Sequence, residues 1–262
     1  MTDAPAITPY QVIASATPLR KSPSRDGARE TQMLAGEVFH VHDHVDGWAQ
    51  GVAALDGYEG WVKLDDLAEP ALIPTHTVKT LRTYVYVQPD MKSEPVALVS
   101  MNAKIVGARR KGRFLEAQRM GWVLEDHLRA VGEPVEPDWV AVAERFEGTP
   151  YLWGGKESLG LDCSGLIQTA MEAAGRFIPR DSGPQEAWAK QHGRALEIKE
   201  DFSGLQRGDL VFWPGHVGVM TDAQTLLHAN GHHMLAVKEN LARAAKRIAF
   251  NYAPINGIYR LG

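Results

Sequence analysis

The chain has 262 residues, 44% hydrophobic and 23% charged, with a formal net charge of −4; that length accommodates two or three small domains with packed cores. Mixed charges leave no basic stripe for nucleic acid and no polybasic patch for an anionic membrane, so the expected partner is a small molecule or peptide. No apolar run approaches the roughly 18 residues needed to cross a bilayer, and the single cysteine, Cys163, excludes an internal disulfide.

The N-terminus, Met1-Thr-Asp-Ala-Pro-Ala-Ile-Thr-Pro9, has neither a basic n-region nor an apolar h-region, so the expectation is a chain that stays in the reducing cytoplasm. Short β-branched runs such as Val38-Phe-His-Val41 follow, then a glycine-aromatic strand start at Gly47-Trp48. His40, His42 and His44 alternate along one strand and share a face; zinc sites recruit ligands from more than one element, so these are read as solvent-facing and no metal site is assigned. Gly60-Trp-Val-Lys-Leu-Asp-Asp-Leu67 returns 61 residues later as Gly121-Trp-Val-Leu-Glu-Asp-His-Leu128, the mark of a duplicated module built of short, closely turned strands. Glu69–Pro74 and Gly132–Asp138 are proline-rich and aperiodic, which reads as linkers and predicts domains at 1–70, 71–133 and 134–262. The two repeats, with their terminal Gly-Trp-Val, resemble bacterial SH3-like domains.

The last segment opens with a predicted helix over Asp138–Phe146 and passes through Thr149-Pro-Tyr151-Leu-Trp-Gly-Gly155 to Leu161-Asp-Cys-Ser-Gly165. Asp162 has the chemistry of an N-cap, and Cys163, Leu166, Ile167, Ala170, Met171 and Ala174 recur at helical spacing until Gly175. A free thiol has a pKa of about 8.5; at the first helical position the unsatisfied N–H groups and the helix dipole are expected to lower it, making Cys163 a candidate nucleophile. Three predicted strands follow: Asp209–Trp213, His216–Met220 and Thr225–Ala229. Pro214-Gly215 suits a type II turn before His216. If the next hairpin loop is 220–224, His216 pairs directly with His228 and one imidazole can orient the other; a loop one residue shorter puts them on opposite faces. Given the favourable register, Cys163 attacks, His216 is the base, and His228 fixes its tautomer.

These motifs, together with Arg207-Gly-Asp-Leu-Val-Phe212, Gly215-His-Val-Gly218 and Leu227-His-Ala229, occur in the order seen in NlpC-type cysteine peptidases, which the segment 134–262 resembles. The resemblance implies an α+β molecule: a papain-like catalytic domain preceded by two small SH3-like β-barrels. More narrowly, two SH3-like domains ahead of this peptidase look like the γ-D-glutamyl-L-diamino acid endopeptidases, which cut murein-derived peptides carrying a free N-terminal L-Ala and need no cofactor. That likeness implies an oxyanion role for Tyr151, substrate contacts from Asp162, Ser164, Asp181 and Ser182, and an acidic residue and a tyrosine from the first barrel. Glu30 and Tyr58 are the counterparts here, with Glu37 a near alternative to Glu30. Two rival readings are an exported murein hydrolase with wall-binding SH3-like modules and a binding protein that has lost activity; the retained Cys163, His216 and His228 speak against the second.

Overall fold

In a computed structural model that describes residues 7–262, the two Gly-Trp-Val segments fold alike. Glu59–Lys63 and Gly121–Leu124 are strands, each leading into one 3-10 turn (Leu64–Asp66 and Glu125–His127) and a second short strand (Leu67–Ala68 and Leu128–Ala130). Val62 and Val123 are fully buried, and Leu67 and Leu128 nearly so, so the sequence repeat is a repeat of packing. The strands between Thr8 and Ala68 form one seven-stranded sheet around Val12, Leu19, Met33, Phe39 and Val62. Those of the second repeat form a five-stranded and a three-stranded sheet around Val78, Val85, Val99, Ile105 and Val123.

The two barrels join tightly. Leu34 and Ala35 pack into the second core, and the Lys104 N–H donates to the Ala35 carbonyl at 2.7 Å. At Gly36 φ is +77°, and a Cβ there would lie 2.0 Å from the Lys104 carbonyl oxygen; both conditions require glycine.

The chain separates into two compact units, the second running Pro134–Gly262. Helix α1 (Trp139–Glu144) begins at Asp138, whose carboxylate accepts from the Val140 and Ala141 N–H groups. Helix α2 (Cys163–Ala173) is buried from Cys163 through Met171. The polar stretch after it holds α3 (Ser182–His192) and the short strand β1 (Gly193–Ala195). Then come β2 (Leu210–Trp213), β3 (His216–Met220), β4 (Thr225–Asn230), β5 (Leu235–Asn240), α4 (Leu241–Asn251) and β6 (Gly257–Leu261). The sheet is antiparallel in the order β1-β6-β2-β3-β4-β5.

Helix α2 packs on β3 and β4. Leu241 and Ala244 of α4 pack with Val211, Met220, Leu226 and Ile258 of the sheet. With helices leading and an antiparallel sheet following, the unit is α+β, and its centre brings the N-terminus of α2 to the start of β3.

Candidate active site

The Asp162 carboxylate accepts the Gly165 N–H at 2.7 Å and starts α2 with Cys163 as its first residue. The backbone N–H groups of Val217 and Ser164 reach the Cys163 sulfur, which places the thiol beside the first residues of β3. Burial pushes this thiol up to about 11, and the Asp162 charge adds to the rise, against the pull of the two N–H donors. The sequence-based expectation of a lowered thiol pKa is thereby corrected: the helix end is present, but it is closed over and has a carboxylate at its cap.

His216 opens β3 after a turn in which Gly215 has φ of +68°, as a type II turn demands of its third residue. Val219 pairs with Leu227 and Met220 with Leu226, a register two residues away from the one that would pair His216 with His228 directly. A two-residue offset keeps both side chains on one face, because the pleat repeats every two residues. The position opposite His228 is Gly218, where a Cβ would come within 3.0 Å of the His228 Cβ. The imidazoles therefore meet on the diagonal, with His216 Nε2 2.8 Å from His228 Nδ1. The hairpin is held by Asp222, whose carboxylate accepts the N–H groups of Gln224 and Thr225 at 2.8 Å each, and by the Thr221 N–H on the Thr225 carbonyl. Burial, then the neighbouring His228, pushes His216 down to about 3. The thiol and the imidazole thus both rest neutral, and His216 keeps a lone pair with which to act as a base.

Tyr151 lies close enough to Cys163 and Asp162 for their charges, after burial, to raise its phenol well above the ordinary range. Its hydroxyl stays protonated and can donate to an oxyanion. The Cys163 N–H, at the first turn of α2, has no helical acceptor and is a second donor of that kind.

Asp162 and Ser164 are held in a closed hydrogen-bonded cluster. The Asp162 oxygens accept from Gly165 N, Gly154 N, Ser164 Oγ and both terminal nitrogens of Arg180 at 2.7–3.3 Å. The Arg180 side chain is only 1% exposed and donates to Ser164 Oγ and the Gly155 carbonyl as well. A substrate ammonium would have to share oxygens already engaged five times, so the cluster acts first to fix the start of α2 and the loop before it. Asp181 is the N-cap residue of α3 and Ser182 its first helical residue, both part-exposed. Glu30 and Tyr58 belong to the first unit: Glu30 is on the strand Arg29–Leu34, and Tyr58 packs on the first barrel's core, its N–H donating to the Asp56 carboxylate at 3.2 Å.

Sequence reasoning missed two residues. Glu239 on β5 faces His228 Nε2 at 2.7 Å, and Arg247 on α4 donates to both Glu239 oxygens at 2.6 Å. Burial alone would push the Glu239 carboxyl up, but Arg247 and His228 reverse this and hold it well below the usual carboxylate range. The available signal was Asn240, a helix cap, followed by Leu241, Ala244 and Ile248 at helical spacing, with Arg247 beside that apolar stripe. A cleft of about 410 Å³ runs from His216 and His228 along Arg247, Ile248, Asn251 and Tyr252.

A thiol at a helix N-terminus, backed by two hydrogen-bonded histidines from an antiparallel sheet, defines a papain-like cysteine peptidase. Residues 148–248 match the NlpC/P60 family, and residues 19–67 match the bacterial dipeptidyl-peptidase SH3 domain; the chain carries an NlpC/P60 cysteine peptidase domain behind an SH3-like N-terminal region.

Among its relatives, the γ-D-glutamyl-L-lysine dipeptidyl-peptidase of Bacillus subtilis is 25% identical over 78% of this chain and 73% of its own. Dipeptidyl-peptidase 6 of Lysinibacillus sphaericus is 31% identical over 63% of this chain, and the matched stretch spans 57% of that protein. The crystal structure of an NlpC/P60 family protein from Bacillus cereus has the same fold, with a TM-score of 0.79, 20% identity, and coverage of 97% of this chain and 99% of that one.

Proposed function

We propose that this protein is a cytoplasmic endopeptidase that hydrolyses the γ-D-glutamyl-L-diamino acid bond of murein-derived peptides with a free N-terminal L-Ala. The observation that carries the chemistry is the 2.8 Å contact of His216 Nε2 with His228 Nδ1, on a strand whose next residue, Val217, gives its N–H to the thiol at the helix N-terminus. Cys163 Sγ attacks the γ-carbonyl carbon while His216 takes the thiol proton; the Cys163 N–H and the Tyr151 hydroxyl receive the oxyanion. As the C–N bond breaks, His216 returns the proton to the leaving α-amino nitrogen, leaving a thioester. Water, deprotonated by His216, then releases L-Ala-D-Glu and restores the thiol.

The substrate class is supported by the names of the relatives and by the SH3 domain match at residues 19–67. Asp181 and Ser182 at the start of α3 and Glu30 and Tyr58 from the first barrel are the residues assigned to direct substrate contact, and Asp162 and Ser164 serve it by fixing the start of α2.

The test is digestion of L-Ala-γ-D-Glu-L-Lys alongside its N-acetylated form, read by mass spectrometry. Release of L-Ala-D-Glu from the free peptide alone is expected; equal cleavage of both would overturn the requirement for a free amino end. Recovery of the protein from the periplasm or wall fraction of its cells, in place of the cytosol, would favour the exported murein hydrolase.

A further inference from the structure

We propose that Glu239, anchored by Arg247, is a positioning residue that sets the tautomers of His228 and His216 in series and so makes His216 Nδ1 the nitrogen that takes the Cys163 proton. The proposal rests on Cys163 and His216 being nucleophile and base, and is independent of which peptide is cut.

The three side chains follow a single geometric rule. His216 is two residues off the position facing His228 across β3 and β4, and Glu239 is likewise two residues off the position facing His228 across β4 and β5, where Val237 pairs with His228. Two diagonal steps on the same sheet face give contacts of 2.8 Å and 2.7 Å. The row ends at a carboxylate whose two oxygens are fixed by the Arg247 guanidinium at 2.6 Å, and the His228 side chain between them is fully buried.

Proton placement follows from the end of the row. A carboxylate only accepts, so His228 Nε2 must carry the proton. His228 Nδ1 then has a lone pair, and His216 Nε2 must donate to it. That leaves the lone pair of His216 on Nδ1. A competing donor is present: Asn230 Nδ2 is 3.0 Å from the same His228 Nε2. Were Asn230 to win, His228 would carry its proton on Nδ1, His216 Nε2 would accept it, and His216 Nδ1 would already hold a proton and be unable to take one from sulfur. The ionised Glu239 outcompetes the neutral amide, since a charge-assisted hydrogen bond is roughly twice as strong as a neutral one. Glutamine at 239 removes the charge and can donate as readily as accept, leaving the amide of Asn230 to decide.

Two measurements test this. In wild-type protein, nitrogen-15 NMR of the histidine side chains at neutral pH is expected to show His228 protonated on Nε2 and His216 protonated on Nε2; His228 protonated on Nδ1 overturns the proposal without any variant being made. In Glu239→Gln, the rate of Cys163 alkylation by iodoacetamide is expected to fall about 10–100-fold, the cost seen on removing the partner that orients a metal-bound histidine. The tautomer signals are expected to switch with it, and Glu239→Asp to restore most of the rate. Peptide turnover should follow in kcat with KM little changed. A folded Glu239→Gln protein that keeps both the wild-type tautomers and the wild-type alkylation rate would refute the proposal. Loss of peptide cleavage in every form, with alkylation behaving as described, would point to a wrong substrate and leave the positioning role standing.

Discussion

Two carboxylate–arginine pairs flank the catalytic pair, and they have the same chemistry with different work. Asp162–Arg180 lies on the thiol side, with the arginine side chain 1% exposed and every oxygen of the carboxylate engaged by the surrounding backbone and side chains. Glu239–Arg247 lies on the imidazole side, with the arginine 23% exposed and one carboxylate oxygen turned to a histidine. The first pair is closed on itself and holds a helix start in place. The second has one free direction, and that direction is aimed at His228, which orients the base. A buried ion pair therefore cannot be assigned to stability or to function from its residue types; what separates the two cases is whether the acceptor capacity is exhausted within the pair's own shell.

Breaking the reaction itself should have the largest effect. Cys163→Ala is expected to reduce peptide cleavage by about 10⁴-fold or more, to background, with an unchanged melting temperature. On the thiol side, Arg180→Met strands the Asp162 carboxylate in a dry site; the expected loss is about 3–5 kcal/mol in urea unfolding, recovered in good part by adding Asp162→Asn. A stable Arg180→Met protein would mean that the Asp162–Arg180 pair does not hold the helix start in place.

On the imidazole side the sensitivity is to pH. Unfolded histidine protonates near 6.5, whereas His216 in the fold is pushed down to about 3, so between those values the unfolded chain binds a proton that the native one refuses. Stability is full above the unfolded value and declines as pH falls through this window, by on the order of 2 kcal/mol between pH 7 and pH 5. Burial pushes His228 down as well, so a His216→Asn variant should lose the His216 share of the slope in thermal melts and keep the His228 share. The smallest stability effect is expected from Arg247→Met, about 1 kcal/mol, because Glu239 keeps His228 and some solvent; a cost as large as that of Arg180→Met would make the two pairs alike.

Much of the site was legible because local rules sufficed. Asp162 as cap, Cys163 as first helical residue and Gly175 with φ of +73° past the helix end all follow from side-chain chemistry near the chain itself. The strand His216–Met220 has the bounds read from its apolar run. Hairpin register was beyond reach, since the three-residue turn at Asp222–Gln224 is set by side-chain acceptors that periodicity does not report. Only the preserved parity of a two-residue offset kept the histidines together. Glu239 and Arg247 were illegible for another reason: charged residues on a half-exposed strand and an amphipathic helix look like solvated surface until the sheet order places β5 beside β4. The thiol pKa was misread because helix position is local while burial and the Asp162 charge are tertiary.

Acylation of Cys163 is tested most directly by intact-mass spectrometry of the enzyme quenched in acid milliseconds after mixing with L-Ala-γ-D-Glu-L-Lys. An L-Ala-D-Glu acyl adduct is expected that maps to Cys163 and vanishes in Cys163→Ala along with turnover. Continued release of L-Ala-D-Glu by Cys163→Ala, or an adduct on any other residue, would contradict it.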